Sequence, residues 1–283
     1  MNAPIAARAS SDSGGVHRIG GVTQPSCQAV LRTVTATRYV TPLREGGSLP
    51  AIVEADDDGL YVCKFRGAGQ GPKALAAEVV AGELARALGL PVPELVLVDV
   101  DPQLGHAEPD QEIQDLLRAS VGLNVGMDYL PGSITLDASV DPVDPALAAR
   151  VVWLDAFVDD VDRTWRNPNL LVWHRGLWCI DHGAALYFHH AWERTSPERF
   201  AAQPFDARNH MLIRHAAGVP EADAALAGRI TAELLHDVVA QVPQEWLEPA
   251  PGRDKPDEVR ASYVDHLVAR LAAPRRWLPE ETP

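Results

Sequence analysis

The chain lacks the features that mark secreted, disulfide-stapled or membrane-spanning proteins. Its three cysteines, Cys27, Cys63 and Cys179, are odd in number and far apart, with no CxxC pair, which excludes a disulfide framework and a paired-cysteine metal site. The first residues, MNAPIAARASSDSGG, contain no apolar stretch of the secretory kind. No later run approaches the roughly 20 apolar residues that cross a bilayer. We therefore expect a cytoplasmic protein without a membrane span.

Positive charge is scarce as well. The chain has 25 basic and 39 acidic side chains, a formal charge of −14. Affinity for nucleic acids depends largely on Lys and Arg side chains that neutralise phosphates, so we expect no nucleic-acid partner. The ten histidines show no HExxH or comparable zinc spacing, and no GxSxG elbow is present. Zinc-dependent and acyl-transfer chemistry are therefore not indicated.

The first half of the chain has the pattern of strands around one helix. Residues 1–25 are rich in Ala, Ser and Gly and predict a disordered tail. Apolar residues then alternate in AVLRTVTATRYV, LPAIVEA and LYVCKF, which predicts an antiparallel meander, and PVPELVLVDV and VGLNVGMDYLPGS predict further strands. KALAAEVVAGELARALGL, with Pro72 before it and Gly89 at its end, predicts a buried helix.

Helices dominate beyond Pro131. DPALAARVVWLDAFVDD begins with Asp144 as a cap and Pro145 in the first turn, and its apolar residues follow helical spacing. LLVW and LWCI predict a short hairpin, and the segments 221–242 and 256–273 predict further helices. A strand-rich half that precedes a helix-rich half indicates an α+β protein with two lobes.

Lysine is the rarest charged residue, which draws attention to Lys64 in the strand YVCKF. An ammonium group in an apolar strand needs an anionic partner or a route to water, because burying it unpaired is costly. The sequence leaves two interpretations open, an edge-strand lysine that reaches solvent or a phosphate ligand held by a helix glutamate. Glu78 is the natural partner because it lies in a run of Ala, Val and Leu, and Glu83 is the alternative.

Two later segments carry candidate oxygen ligands. In DDVDRTWRNPNLLVW, Asp162 and Asn167 lie five residues apart in a loop, a spacing that can place a carboxylate near a nucleophilic hydroxyl and an amide oxygen on a metal ion. In LWCIDHG, Asp181 directly follows an apolar strand and projects a carboxylate from a rigid edge. Taken singly, Asp181 also suits a strand-end turn or a helix cap.

The order of these pieces is that of the protein kinases, and the details resemble the HipA-like kinases, a bacterial branch of the protein-kinase-like superfamily, with features of phosphatidylinositol kinases. The resemblance runs from about Thr41 to Phe188 and is most specific in KFRGAGQGPKALAAE, GMDYLPG, DRTWRNPNLL and IDHG. It implies a bilobal α+β fold. An N-lobe with an antiparallel sheet and one helix would span residues 26–130, and a mainly helical C-lobe would span residues 131–283.

The resemblance also implies a role for each site residue. Lys64 would contact the α and β phosphates of ATP and pair with Glu78. The adenine would meet the backbone of a hinge formed by Met127, Asp128, Tyr129 and Leu130. Asp162 would accept the proton of the substrate hydroxyl, and Asn167 and Asp181 would hold Mg²⁺.

Several positions depart from the family pattern. No GxGxxG separates the first two strands, where the chain has only REGGS at residues 44–48. The RGAGQG segment at the helix entry is an alternative source of backbone N–H groups for phosphate. Asn169 could replace Asn167 if the loop is longer, and no Ala-Pro-Glu follows Asp181. The separate amino-terminal domain of the HipA toxins is not seen before the meander, so no toxin–antitoxin role is expected.

We therefore expect an ATP- and Mg²⁺-dependent kinase that phosphorylates a hydroxyl group, with a protein Ser or Thr favoured as acceptor. A lipid head group or a small metabolite is the alternative acceptor. A nucleotide-binding regulator without turnover, and a structural protein with coincidental motifs, are the alternatives from other classes.

Overall fold

The computed structural model describes residues 30–43, 49–69, 71–105, 108–272 and 274–279. The expected tail, Cys27 and the REGGS segment lie outside the described residues. Within them the predicted mixed α+β architecture is confirmed, with strands concentrated before residue 130 and helices after it.

The described residues form eight strands, which are β1 (Thr33–Pro42), β2 (Ala51–Ala55), β3 (Leu60–Lys64), β4 (Leu95–Val100), β5 (Gly122–Asp128), β6 (Ile134–Thr135), β7 (Leu170–Trp173) and β8 (Gly176–Cys179). The first five close into a barrel in the order β1-β2-β3-β5-β4, and the last three form a small sheet. The β2–β3 register pairs Ala51 with Cys63, so β2 begins at the Lys64 end of β3. This end of the barrel carries the candidate site.

The helices in the described residues are α1 (Pro72–Ala87), α2 (Gln111–Ala119), α3 (Pro145–Val158), α4 (Pro197–Ala202), α5 (Val219–Leu226), α6 (Ala232–Ala240) and α7 (Pro256–Leu271). Short 3-10 turns lie between several of them. None of the described helices is long and apolar enough to cross a membrane.

Two parts of the predicted N-lobe are wrong. The sheet is not purely antiparallel, because β1 pairs with β4 in parallel, Thr33 opposite Leu97, and so closes the barrel. This pairing joins segments about sixty residues apart, which local alternation of apolar residues does not specify. The region before residue 130 also contains a second helix, α2. Its sequence signals were present, because Asp110 caps it and its buried residues, Ile113, Leu116 and Leu117, follow helical spacing.

The predicted helix over residues 221–242 is also wrong as a single element. The structure divides it into α5 and α6, separated by a 3-10 turn and by an extended Ile230. Thr231 then accepts a hydrogen bond from Leu234 N and caps α6. A threonine that can cap a new helix competes with continuation of the old one.

Helix α1 connects the barrel to the helical half. Pro72 lies at its first position and needs no hydrogen-bond acceptor there, and Gly89 adopts φ 78° just beyond its end. Its buried side chains join the outer barrel residues Leu95 and Val125 to the packed interior of α3 in one continuous core. A second cluster fills the barrel itself. Movement of α1 would therefore disturb both halves of the molecule.

Candidate active site

Lys64 lies at the end of β3 on the face opposite to the barrel interior. Tyr61, Cys63 and Phe65 are buried inside the barrel, as strand alternation predicts. The Lys64 ammonium instead donates to Oε2 of Glu78, which is fully buried in α1. Glu83, the alternative partner, pairs with Arg86 at 3.2 Å. The lysine is therefore held by the helix glutamate and does not simply reach solvent.

Asp181 completes an ion triplet with the lysine. Lys64 Nζ lies 2.6 Å from Asp181 Oδ1, although 117 residues separate them in sequence. Burial acts to lower the pKa of the Lys64 ammonium, but the charges of Asp181 and Glu78 outweigh it and raise that pKa above its usual value. The Asp181 side chain remains 44% exposed. One carboxylate of the triplet is thus sealed, and the other is partly exposed to solvent.

The loop after α3 places Asp162 beside Asn167. Thr164 and Asn167 form a tight turn, with Asn167 N donating to Thr164 O at 3.1 Å. The Asn167 amide group then donates to Asp162 Oδ2 at 2.7 Å. Partial burial, together with the negative charge of Asp181, raises the pKa of Asp162, while the Asn167 hydrogen bond opposes the shift. The Asp162 carboxylate is therefore close enough to Asp181 to be affected by its charge.

Asn169 lies between the two acids. Its amide nitrogen is 3.4 Å from the backbone carbonyl of Asp181, and its side chain acts to lower the pKa of Asp162. Both Asn169 (φ 48°) and Asp181 (φ 57°) adopt the left-handed backbone conformation. Short polar side chains tolerate that conformation better than other non-glycine residues do. Asn167 therefore contacts Asp162, and Asn169 contacts the backbone of Asp181.

Arg163, next to Asp162, binds the backbone of both loops that carry the candidate ligands. Its buried guanidinium donates to Asp155 Oδ2 at 2.6 Å, and to the backbone carbonyls of Asn169 and Ile180. Those carbonyls lie at the start of β7 and directly before Asp181. One side chain therefore fixes the relative positions of the loops that carry the candidate ligands.

A sealed acidic cluster surrounds this guanidinium. Asp155 Oδ2 also lies 2.9 Å from His210 Nε2, and Asp160 Oδ2 lies 3.6 Å from Arg163 Nη2. Burial favours the neutral form of Asp155, but the charge of Arg163 and the His210 hydrogen bond outweigh it and lower its pKa to about 2. Burial and the charge of Asp155 raise the pKa of Asp160 to about 8. A proton on Asp160 lets one arginine balance two buried carboxylates.

The predicted hinge, Met127–Leu130, begins at the C-terminal end of β5. This end pairs with the Tyr61 end of β3, away from Lys64. Met127 is buried and pairs with Val62 on β3 and with Leu95 on β4. The N–H groups of Asp128 and Tyr129 donate to backbone carbonyls of neighbouring segments at 2.8 and 2.9 Å. Among the described residues, no backbone acceptor is found for the N–H of Leu130.

Four backbone N–H groups of the RGAGQG segment, the alternative phosphate cradle, have acceptors within the described part of the protein. Gly67 N donates to Ser120 Oγ at 3.2 Å, and the backbone N–H groups of Arg66, Ala68 and Gly71 also donate within the protein. A methyl group at Gly67 would lie 2.7 Å from Ala119. The glycine is therefore explained by close packing against the end of α2.

Sequence reasoning missed Asp155, His182 and His210, which are all buried near the site. The sequence does contain a signal for Asp155. It is a charged residue within the apolar helical run VVWLDAFV, just as Glu78 is a charged residue within an apolar helix. A charged residue at such a position needs a buried partner. No comparable local signal identifies His210, which meets Asp155 across 55 residues.

The oxygen-rich set around Asp181 fits a hard divalent cation. Asp181 and the side chains of Asn167 and Asn169 offer carboxylate and amide oxygens, the ligand types that Mg²⁺ prefers. No group of three or more His, Cys, Asp or Glu in the described part of the chain is placed to hold a metal by itself. Such an ion would therefore depend on amide, phosphate and water oxygens as well.

A strand lysine that pairs with a helix glutamate and with an aspartate after a later hairpin is the arrangement of protein-kinase-like phosphotransferases. The sequence model of the HipA-like kinase family matches residues 37–279, most of the chain. The chain therefore belongs to the HipA-like kinase family.

The comparison with solved structures matched the Helicobacter pylori proinflammatory kinase CtkA. It is 14% identical in sequence, with a TM-score of 0.46, and the alignment covers 85% of this chain and 98% of that one. The comparison with curated proteins found no match.

Proposed function

We propose that this kinase uses ATP and Mg²⁺ to phosphorylate a Ser or Thr hydroxyl of a protein. The observation that carries the proposal is the contact of Lys64 with both Glu78 and Asp181. These side chains and Asp162 come from a strand, a helix and two later loops, and together they supply a cation, a metal ligand and a base. Phosphoryl transfer requires these three components.

In the proposed reaction, the acceptor hydroxyl gives its proton to the Asp162 carboxylate as its oxygen forms a bond to the γ-phosphorus. The bond between that phosphorus and the β,γ-bridging oxygen breaks, and ADP leaves. The raised pKa of Asp162 suits it to receive the proton. Lys64 would balance charge on the α and β phosphates, and Glu78 would hold the ammonium in place.

Bound Mg²⁺ would supply positive charge to the β and γ oxygens during transfer. Asp181 is proposed to hold it together with an amide oxygen from the 162–169 loop. Asn167 is the residue expected from its spacing. Asn169 is the alternative, supported by its burial and its contact with the backbone of Asp181.

The nucleotide is proposed to lie between the barrel and the helical half. Its adenine would meet the Met127–Leu130 segment, where the Leu130 N–H is available. The chain would then divide at this hinge into an N-lobe of residues 26–130 and a C-lobe of residues 131–283.

The surface beside Asp162 supports a protein acceptor. Trp165 is 62% exposed at the tip of the Thr164–Asn167 turn, and the Arg166 guanidinium lies 4.6 Å from its ring centre. No carboxylate in the described residues pairs with Arg166. An exposed ring and an unpaired cation suit a peptide with a carboxylate near its Ser or Thr. An anionic lipid surface is less suitable, because the chain itself carries a charge of −14.

The test is to incubate the purified chain with cell lysate, γ-labelled ATP and Mg²⁺. The products are separated into protein, lipid and small-molecule fractions. We expect label on protein Ser or Thr, lost in Asp162→Ala and on removal of Mg²⁺ by a chelator. Asp115→Ala, which changes an exposed acid on α2, is the matched control and should keep full activity.

Other outcomes have defined meanings. Label in the lipid or small-molecule fraction would replace the acceptor class while leaving the kinase chemistry intact. ATP-dependent thermal stabilisation without label in any fraction would identify a nucleotide-binding regulator. Equal labelling by wild type and Asp162→Ala would contradict the assigned base.

A further inference from the structure

His182 follows Asp181 directly, and its side chain is turned inward. The residue is fully buried, and its Nδ1 lies 3.5 Å from Oε1 of Glu78. That oxygen is the one that Lys64 does not contact, since the ammonium binds Oε2. The two oxygens of Glu78 therefore face two different parts of the site, the strand lysine and the turn that carries Asp181.

One face of α1 packs against the turn that carries Asp181 and His182. Ala74, Glu78 and Gly82 lie four residues apart and share one face of the helix. A methyl group at Gly82 would lie 3.8 Å from His182 Nδ1, and one at Gly183 would lie 3.5 Å from Ala74 O. The small residues on both sides allow the Asp-His-Gly turn to pack directly against the helix.

The polar atoms at this contact lack hydrogen bonds within the described part of the chain. Glu78 Oε1 and both ring nitrogens of His182 are buried there without a hydrogen-bond partner, and the 3.5 Å approach of Nδ1 to Oε1 is slightly too long for one. Leaving a buried carboxylate oxygen and a buried imidazole nitrogen unsatisfied is costly. A neutral imidazole can carry its proton on Nδ1 and donate it to the carboxylate, and a small shift would bring the pair to ordinary hydrogen-bond distance.

We propose that His182 is a positioning residue for phosphoryl transfer: its Nδ1–H donates to Glu78 Oε1 and fixes α1 to the turn that presents Asp181. The inference rests on the proposed function. Glu78 is then held by two donors, and through it Lys64 and Asp181 keep their separation. Displacement of α1 would disturb the phosphate-binding cation and the metal-binding carboxylate together.

Two substitutions separate hydrogen bonding from space filling. His182→Asn keeps an N–H donor close to the position of Nδ1 but leaves part of the volume empty. His182→Phe fills the volume of the ring and donates nothing. A merely structural residue in a buried site would tolerate Phe better than Asn. A positioning donor requires the opposite ranking.

The experiment measures kcat and KM for ATP in the purified wild-type chain and both variants, after unfolding midpoints confirm that each is folded. We expect His182→Phe to lower kcat/KM for ATP by about tenfold or more, as for loss of a hydrogen bond to a charged group. His182→Asn should stay within about threefold of wild type. In a Glu78→Ala background, His182→Phe should cause no further loss, because the acceptor is already gone. If His182→Phe does not fold, His182→Leu takes its place.

The matched control is His266→Phe. This buried imidazole lies on α7 and contacts Ser262 O at 2.7 Å, so its loss should lower the unfolding midpoint without changing KM for ATP. Equal activity in His182→Phe and His182→Asn, or the full loss on top of Glu78→Ala, would overturn the proposal. An inactive wild-type chain would instead show that the proposed function has failed, and this proposal with it.

Discussion

Two cations near the site, Lys64 and Arg163, each lie beside two acidic side chains, but in opposite surroundings. The Lys64 side chain is 15% exposed, and one of its partners, Asp181, is 44% exposed. The side chains of Arg163 and of its partner Asp155 are sealed from solvent. The first group can release a partner to a ligand, because water and the ligand replace the lost contact. The second cannot do so without leaving a charge buried and unpaired.

The difference suggests a division of labour. The open triplet of Lys64, Glu78 and Asp181 meets the nucleotide and the metal in the proposed reaction, so its charges must be able to change partners. The sealed cluster around Arg163 binds the backbone on both sides of the site and has no comparable freedom. Substitutions in the open triplet should therefore affect catalysis, and substitutions in the sealed cluster should affect folding.

The largest effect is expected from Asp181→Asn. Loss of the carboxylate should reduce phosphoryl transfer by on the order of 10²- to 10³-fold, as for removal of one major electrostatic stabiliser. The free energy of unfolding should change by less than about 1 kcal/mol, because the side chain is partly exposed to water and Lys64 keeps Glu78 as a partner. Initial rates with ATP and urea denaturation test both halves. A variant that loses several kcal/mol of stability would remove the contrast with the sealed cluster.

Asp155→Asn should show the converse pattern. The substitution leaves Arg163 without its closest partner, and breaking a buried pair typically costs about 3–5 kcal/mol. We expect the lower end of this range, because Asp160 can ionise and replace part of the lost charge. Urea denaturation measures the loss. Asp223→Asn, which removes a partly exposed partner of Arg275, is the control and should cost clearly less. Equal losses in the two variants would contradict the assignment of a sealed cluster.

Asp160→Asn should change how stability depends on pH. With its pKa raised to about 8, folded Asp160 keeps a proton that the unfolded chain releases at about pH 4. Between these values its contribution to stability falls as pH rises, by up to roughly 1.4 kcal/mol per pH unit. Asn imitates the protonated form and removes this slope.

Urea denaturation of both proteins at about pH 5 and about pH 7 is sufficient to test this. Wild type should lose roughly 2–3 kcal/mol relative to Asp160→Asn over that interval. Parallel curves for the two proteins would show that Asp160 is ionised in the folded state.

Local signals account for what could be predicted from the sequence. Pro72 and Gly89 mark the ends of α1, Asp144 and Pro145 mark the start of α3, and alternation places Lys64 on the outer face of β3. Closure of the barrel by β1 and β4 could not be predicted in this way, because register between distant strands depends on the whole fold.

The same limit applies to the site. The order of Lys64, Glu78, Asp162 and Asp181 along the chain is enough to predict that they converge when a family resemblance supplies the fold. The family resemblance gives no comparable prediction for the sealed cluster around Arg163. Asp155 contacts both Arg163 and His210, and its contact with His210 arises from packing between α3 and a segment that lies 55 residues further along the chain.

The smallest effect is expected outside both clusters, at Arg166. If this exposed cation recognises a carboxylate beside the phosphorylated hydroxyl, Arg166→Ala should raise KM for an acidic peptide about two- to fivefold, the range of an exposed ion pair. KM for ATP should not change, because Arg166 contacts neither cluster.

Arg175→Ala, at an exposed position in the turn between β7 and β8, is the matched control and should leave both constants unchanged. Arg166→Glu should change the preference from acidic to basic peptides, because a carboxylate at this position repels acidic side chains. The change does not alter Lys64 or Arg163. If the peptide preference does not change with the charge at residue 166, the acceptor is recognised elsewhere on the surface. The contrast between the open cation Lys64 and the sealed cation Arg163 would still hold.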